Sequence, residues 1–151
     1  MLKTNLLKTC YSSHRVNRRE LQGIAQGRLK DAQLLFEHKR FDGAYYLAGY
    51  VIECALKACI AKKTKRYDFP DREFFKNVYI HDLSRLLEPA GLKNQFEQEF
   101  QTDRTLEVKW GVVKDWKETS RYQVHGRRKA KDILEAVADP HGVLDCIKRY
   151  W

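Results

Sequence analysis

Between Asp42 and Lys62 the chain runs for 21 residues in which the only charged side chains inside the two ends are Glu53 and Lys57. Apolar or small residues recur at Ala44, Leu47, Ala48, Val51, Ile52, Ala55, Leu56 and Cys59. That three-four spacing makes one continuous helical face and predicts a long, mostly buried helix to about Lys63. A carboxylate in the middle of such a helix is expensive unless something satisfies it. Lys57 stands one turn after Glu53 on the same side, so the two are expected to form a buried structural pair. Neither faces an evident cleft, which argues against an acid-base couple.

Few features interrupt helices elsewhere. Among 151 residues there are three prolines and eight glycines, and 43% of residues are hydrophobic. This suits a single helical domain over 16–151, preceded by a flexible basic extension over 1–15 in which Leu2, Leu6 and Leu7 are available to dock. No run approaches the roughly 18 apolar residues of a membrane span, and the N-terminus has no signal-peptide apolar core. The expectation is a soluble, cytoplasmic protein that does not engage a membrane. Cys10, Cys54, Cys59 and Cys146 show no Cys-x-x-Cys spacing, so they read as reduced core thiols and not as metal ligands.

The first clear helix follows Asn17, with Glu20 three residues on as a capping box. It extends to about Lys39, with Leu21, Ile24, Ala25, Ala32, Leu35 and Phe36 facing inward. Arg40-Phe41-Asp42-Gly43 is short enough to make the first two helices antiparallel neighbours. Thr64 to Tyr79 reads as a loop whose aromatics, Tyr67, Phe69, Phe74, Phe75 and Tyr79, pin it to the bundle, stacking on bases being the alternative. His81-Asp82 opens a short leucine helix ended by Pro89 and Gly91. Leu92 to Trp116 reads as two short helices. Ser120 to Gly126 turns into a helix with Ala130, Ile133, Leu134 and Val137 at core spacing. Pro140 suits the first turn of a last short helix. No strand alternation, repeat or glycine-rich phosphate loop is present. The fold class predicted is all-α, an up-and-down four-helix bundle with additional short helices.

The net charge is +9 and unevenly spread: residues 1–67 hold 14 basic and 5 acidic side chains. Two dense runs stand out, Lys62-Lys63-Thr64-Lys65-Arg66 and Arg127-Arg128-Lys129-Ala130-Lys131. Such clusters favour polyanions through counterion release, so Lys62, Lys63, Lys65, Arg66, Arg127, Arg128, Lys129 and Lys131 are candidate nucleic-acid contacts. The first run ends a helix, where the dipole welcomes cations without any ligand. The second begins one, where the dipole opposes them.

Several segments in this order resemble the HEPN family (higher eukaryotes and prokaryotes nucleotide-binding domain). They are Ala32-Gln-Leu-Leu35, the Asp42-Gly-Ala-Tyr-Tyr start of the second helix, Ile52-Glu-Cys-Ala-Leu-Lys57, His81-Asp-Leu, and Ser120-Arg-Tyr. The likeness spans roughly residues 18–150. It implies a bundle that commonly dimerises and needs no cofactor or metal. Many such proteins are metal-independent endoribonucleases of toxin-antitoxin or phage-defence type. Others are non-catalytic, binding RNA or nucleotide or partnering a small nucleotidyltransferase.

For the catalytic branch the resemblance points to Arg121 and His125. A histidine near neutral pKa moves the proton of a 2′-hydroxyl, and an arginine holds the scissile phosphate. Here three residues separate the two, a shorter spacing than that of the family's catalytic pair, and Tyr122 takes the place of the polar residue that usually follows the arginine. Placed on one helix, Arg121 and His125 would be one-turn neighbours. The alternative is structural: Arg121 paired with Glu53 or Asp82 to fix the last long helix, and His125 a plain turn residue. His81 is expected to hydrogen-bond near the start of its helix.

Overall fold

The computed structural model describes residues 16–64, 76 and 78–151. The extension 1–15 with Cys10, the loop aromatics Tyr67, Phe69, Phe74 and Phe75, and the basic residues Lys65 and Arg66 lie outside the described residues. Seven α-helices are described: α1 (Arg18–Glu37), α2 (Phe41–Lys63), α3 (Leu83–Ala90), α4 (Lys93–Thr102), α5 (Arg104–Lys114), α6 (Arg127–Ala138) and α7 (Val143–Lys148). A 3-10 helix, Glu118–Tyr122, links α5 to α6, and no strand occurs among the described residues. The fold is all-α.

Local signals explain the boundaries. Asn17 accepts the Glu20 backbone N–H at 3.1 Å while the Glu20 carboxylate accepts the Asn17 N–H at 2.8 Å, a complete capping box for α1. Asp82 caps α3 and Asp103 caps α5, each through a side-chain oxygen and a backbone N–H three residues on. Gly91 ends α3 in the left-handed region, φ 71°, where a side chain is unfavourable. Pro89 therefore sits inside the last turn of α3 and does not end it. The connector after α1 is shorter than the spacing suggested, because Phe41, Asp42 and Gly43 already belong to α2. Pro140 likewise precedes α7, in the turn before its cap Gly142.

α1, α2, α5 and α6 form the bundle, and their directions follow from which ends meet. Three residues join the end of α1 to the start of α2. Trp116, just past α5, packs on Tyr46 and Gly49 in the first half of α2, so α5 runs back toward the start of α2. His125, just before α6, stacks on Tyr45, so α6 starts beside α2 and runs the same way. α3, α4 and α7 close the remaining sides around the same core.

α2 is buried more completely than one face allows. Tyr45, Gly49, Cys54 and Ile60 are inside together with most of the expected stripe, while Leu47 is only half-buried. It touches α1, α3, α6, α7 and the 3-10 helix, so little of it is left for water. By length and composition α2 also passes as a membrane span, but 72% of the relevant window is buried inside the fold, as for the core helix of a helical domain. Cys54, Cys59 and Cys146 are buried and unpaired with one another, and burial pushes the Cys54 and Cys59 thiols up to about 11.

Two outcomes follow. A Cβ at Gly49 would lie 2.2 Å from the Trp116 ring, so Gly49→Ala should destabilise the protein by about 1–3 kcal/mol in urea unfolding, despite alanine's better helix propensity. Alkylation by iodoacetamide at pH 8 should leave Cys54 and Cys59 unmodified in the native protein and modify both in urea. The raised pKa keeps each protonated until the pH nears 11, and burial denies access.

Candidate nucleic-acid interface

The end of α1 closes by a pattern that normally asks for glycine. Lys39 N–H donates to the Phe36 carbonyl at 3.0 Å, and Arg40 N–H to the Leu35 carbonyl at 2.8 Å. This is a Schellman closure, and its pivotal residue adopts φ 59°. Here that residue is Lys39. A lysine in the left-handed region costs on the order of 1 kcal/mol relative to glycine. α3 makes the same closure with Gly91, so the lysine at α1 is a choice that local stability does not explain.

Lys39 and Arg40 border a cavity of about 330 Å³, together with Phe41, Asp42, Val124 and His125. Asp42 accepts a hydrogen bond from the His125 backbone N–H, which ties the segment before α6 to the first turn of α2. The His125 ring stacks on Tyr45 with centroids 4.0 Å apart. His125 is 6% exposed, and among the described residues its buried Nε2 has no hydrogen-bond partner. Burial, with Asp115 nearby, holds the Tyr45 phenol above its ordinary pKa, so it stays neutral.

The second basic run gathers on the same corner. Arg127 lies 6.0 Å over the Phe36 ring at the end of α1, and Lys129 lies 5.5 Å over the Tyr45 ring at the start of α2. Arg128 is exposed, and Lys131 pairs with Glu135 at 3.4 Å one turn on. The first turn of α6 thus carries cations where the helix dipole disfavours them by about 0.3–1 kcal/mol each. Lys39 and Arg40 at the cavity and Arg127 and Lys129 over Phe36 and Tyr45 thus gather at the corner of α1, α2 and α6, where Asp42 already has a backbone partner.

Arg121 and His125 are not one-turn neighbours on a helix. The 3-10 helix stops at Tyr122 and Gln123 is extended, so no helical turn joins the two residues. Arg121 is on the surface, 5.0 Å over the Tyr122 ring, and the Tyr122 and Tyr46 hydroxyls raise its pKa further. The alternative of an Arg121 ion pair with Glu53 or Asp82 is also overturned: Glu53 has other partners and Asp82 serves as the α3 cap. His125 is no plain turn residue either, since the fold buries its ring.

The first basic run sits at the other end of α2. A helix of 23 residues is roughly 35 Å long, so the two runs form no common surface. Lys62 Nζ donates to the Tyr150 carbonyl at 2.9 Å, and Lys63 covers Gly91 at the end of α3. Both are engaged in joining helix ends.

In the bundle interior the Glu53 carboxylate, 1% exposed, accepts from Lys57 Nζ at 2.7 Å and lies 2.9 Å from His81 Nδ1. His81 is half exposed and joins the chain ahead of α3 to the centre of α2. Residue spacing identified Lys57 but not His81, because 28 residues separate it from Glu53. Lys39, Arg40 and Asp42, which line the cavity, were not among the candidate residues the sequence suggested. The signal available was a Lys-Arg pair at a helix end that lacks the expected glycine.

The family model described as HEPN domain matches residues 19–150. No curated protein and no solved structure matches the chain.

The buried cluster makes a direct test of its own. Lys57→Ala should lower stability by about 1–3 kcal/mol in urea titration, because it leaves the buried Glu53 carboxylate with His81 alone. Glu53→Gln combined with Lys57→Met should recover most of that loss, since removing both charges removes the desolvation penalty as well.

Proposed function

The chain belongs to the HEPN domain family, and on that footing we propose that it is a non-catalytic member that binds RNA or nucleotide phosphates at the corner where α1, α2 and α6 meet. The observation that carries this reading is the division of labour at the corner. The His125 ring is stacked on Tyr45 and only 6% exposed, whereas Lys39 and Arg40 border the cavity and Arg127 and Lys129 lie over the neighbouring Phe36 and Tyr45 rings. Cleavage of RNA needs an imidazole within about 2.6–3.2 Å of the 2′-hydroxyl and an arginine on the same phosphate. Arg121 on the surface and His125 enclosed beside Tyr45 support a binding role over cleavage by that pair. Binding needs only cations held in place, a role that the cations gathered at this corner support.

Electrostatics sets the form of the binding. Each phosphate neutralised on a single strand contributes about −0.7 to the slope of log K against log salt, so four contacts give a slope near −3. Short single-stranded RNA should therefore lose roughly 50-fold in affinity between 50 and 200 mM salt. Arg127→Ala with Lys129→Ala should weaken binding about tenfold and make the slope shallower by about 1.4 in fluorescence anisotropy. Lys62→Ala with Lys63→Ala should change it little. Lys39→Gly should be neutral or stabilising by up to about 1 kcal/mol while weakening the RNA complex, since it relieves the left-handed lysine but removes a rim charge.

The endoribonuclease reading, of toxin-antitoxin or defence type, meets its test in the same samples. RNA incubated in excess chelator with wild type, Arg121→Ala and His125→Ala is expected to stay intact throughout. Cleavage by wild type that both variants abolish would reinstate catalysis by that pair.

A further inference from the structure

We propose that the exposed segment joining the 3-10 helix to α6 is a stacking platform for unpaired RNA bases, with the Tyr122 ring as the surface on which a base lies and Arg121 beside it. Its use rests on the α1–α2–α6 corner binding phosphates, as proposed above, and it receives bases of the same strand. Trp116 and Ser120 are buried, and the 3-10 helix packs on α2. Beyond Ser120 the chain turns outward. Arg121, Tyr122, Gln123 and Val124 are all exposed before His125 goes inside.

Polar residues suit a connecting stretch that meets water. Here Tyr122 is 79% and Val124 91% exposed. A single exposed apolar residue needs no explanation, but these two do not stand alone. Arg121 lies 5.0 Å over the Tyr122 ring centroid, and its guanidinium also meets the Tyr46 hydroxyl. Tyr46 and Tyr50 are half-buried one turn apart on α2, with rings parallel to 4° and centroids 6.3 Å apart. Trp116 packs against Tyr46 at 5.8 Å. Tyrosine rings thus surround one guanidinium, and the central helix holds them in place.

The chemistry of this patch selects its occupant. A ring so exposed is covered on one face at most, and Arg121 covers that face, so the other is open. Every base has a flat π-face that stacks on tyrosine whatever the sequence. A guanidinium stacks on the same rings and adds charge that draws the strand in. Val124, two residues and at most about 7 Å of chain from Tyr122, borders the cavity with Lys39 and Arg40. Arg127 and Lys129 follow at the start of α6. A strand with its phosphates along these cations has its next bases beside Tyr122. A duplex keeps its base faces stacked inside, and an apolar protein surface gives no reason for the cations, so single-stranded RNA is the ligand that fits.

Fluorescence anisotropy on the full chain with probes of equal length tests the platform. The probes are a single-stranded oligoribonucleotide, the corresponding blunt duplex, and an abasic strand that keeps the ribose-phosphate backbone. Tyr122→Ala should weaken binding of the single strand at least about fivefold, the loss of one stacked base, and leave the salt slope unchanged. Tyr122→Phe should keep most of the affinity, because the ring and not the hydroxyl makes the contact. Neither variant should alter binding of the duplex or the abasic strand, nor the melting temperature, since the side chain is exposed. A single strand held equally by wild type and Tyr122→Ala overturns the proposal and leaves the ring to a protein partner. An equal loss on the abasic strand overturns it too, because the ring would then be touching backbone. Absence of salt-sensitive binding to every probe removes the phosphate corner and the platform together, whereas salt-sensitive binding indifferent to Tyr122 removes the platform alone.

Discussion

A carboxylate enclosed at the centre of α2 is the interaction on which the arrangement of the other elements turns. Glu53 cannot face water, so its charge has to be answered from within the fold. Lys57 answers from the same helix, and His81 from the chain that leads into α3. The first partner is local and forms whenever α2 forms. The second is long-range and exists only when the segment before α3 lies across the middle of α2. The buried charge thus does more than tolerate its surroundings. It sets where α3 begins against the central rod, because any other placement leaves the carboxylate short of a donor.

Around that rod the protein separates what it hides from what it presents. The helix ends at one pole, where α2, α3 and α7 finish, use Lys62 and Lys63 to satisfy carbonyls and cover Gly91. At the other pole the cations oppose local preference. Lys39 occupies a left-handed position suited to glycine, and Arg127 to Lys129 crowd the start of α6. Charges that stabilise their own helix need no further explanation. Charges that strain it are where a ligand-binding role is most economical.

The helical pattern was legible because its causes are local. The Asn17–Glu20 box, the Asp82 cap, Gly91 and the three-four stripes each act within a turn or two, so the helix bounds came out within a few residues. Pro89 and Pro140 were read too strongly, since a proline near a helix end neither terminates it nor always begins the next one. The two basic runs were also legible as runs. Their separation was not, because their placement at opposite ends of α2 depends on how α6 docks. His125 failed for a similar reason. Its spacing from Arg121 suggested a shared face, but the chain becomes extended after Tyr122, and the apolar contact with Tyr45 draws the ring inward.

Composition and periodicity alone determined that this chain builds an all-α bundle around one long apolar helix carrying Glu53 and Lys57, because the spacing of apolar residues and the capping residues are properties of short stretches. Only the tertiary structure decided that His81 completes the buried cluster, that His125 is enclosed, and that Lys39 and Arg40 join Arg127 and Lys129 at one corner. Those contacts link residues tens of positions apart, and their energies depend on packing and desolvation that come into being only when the helices meet.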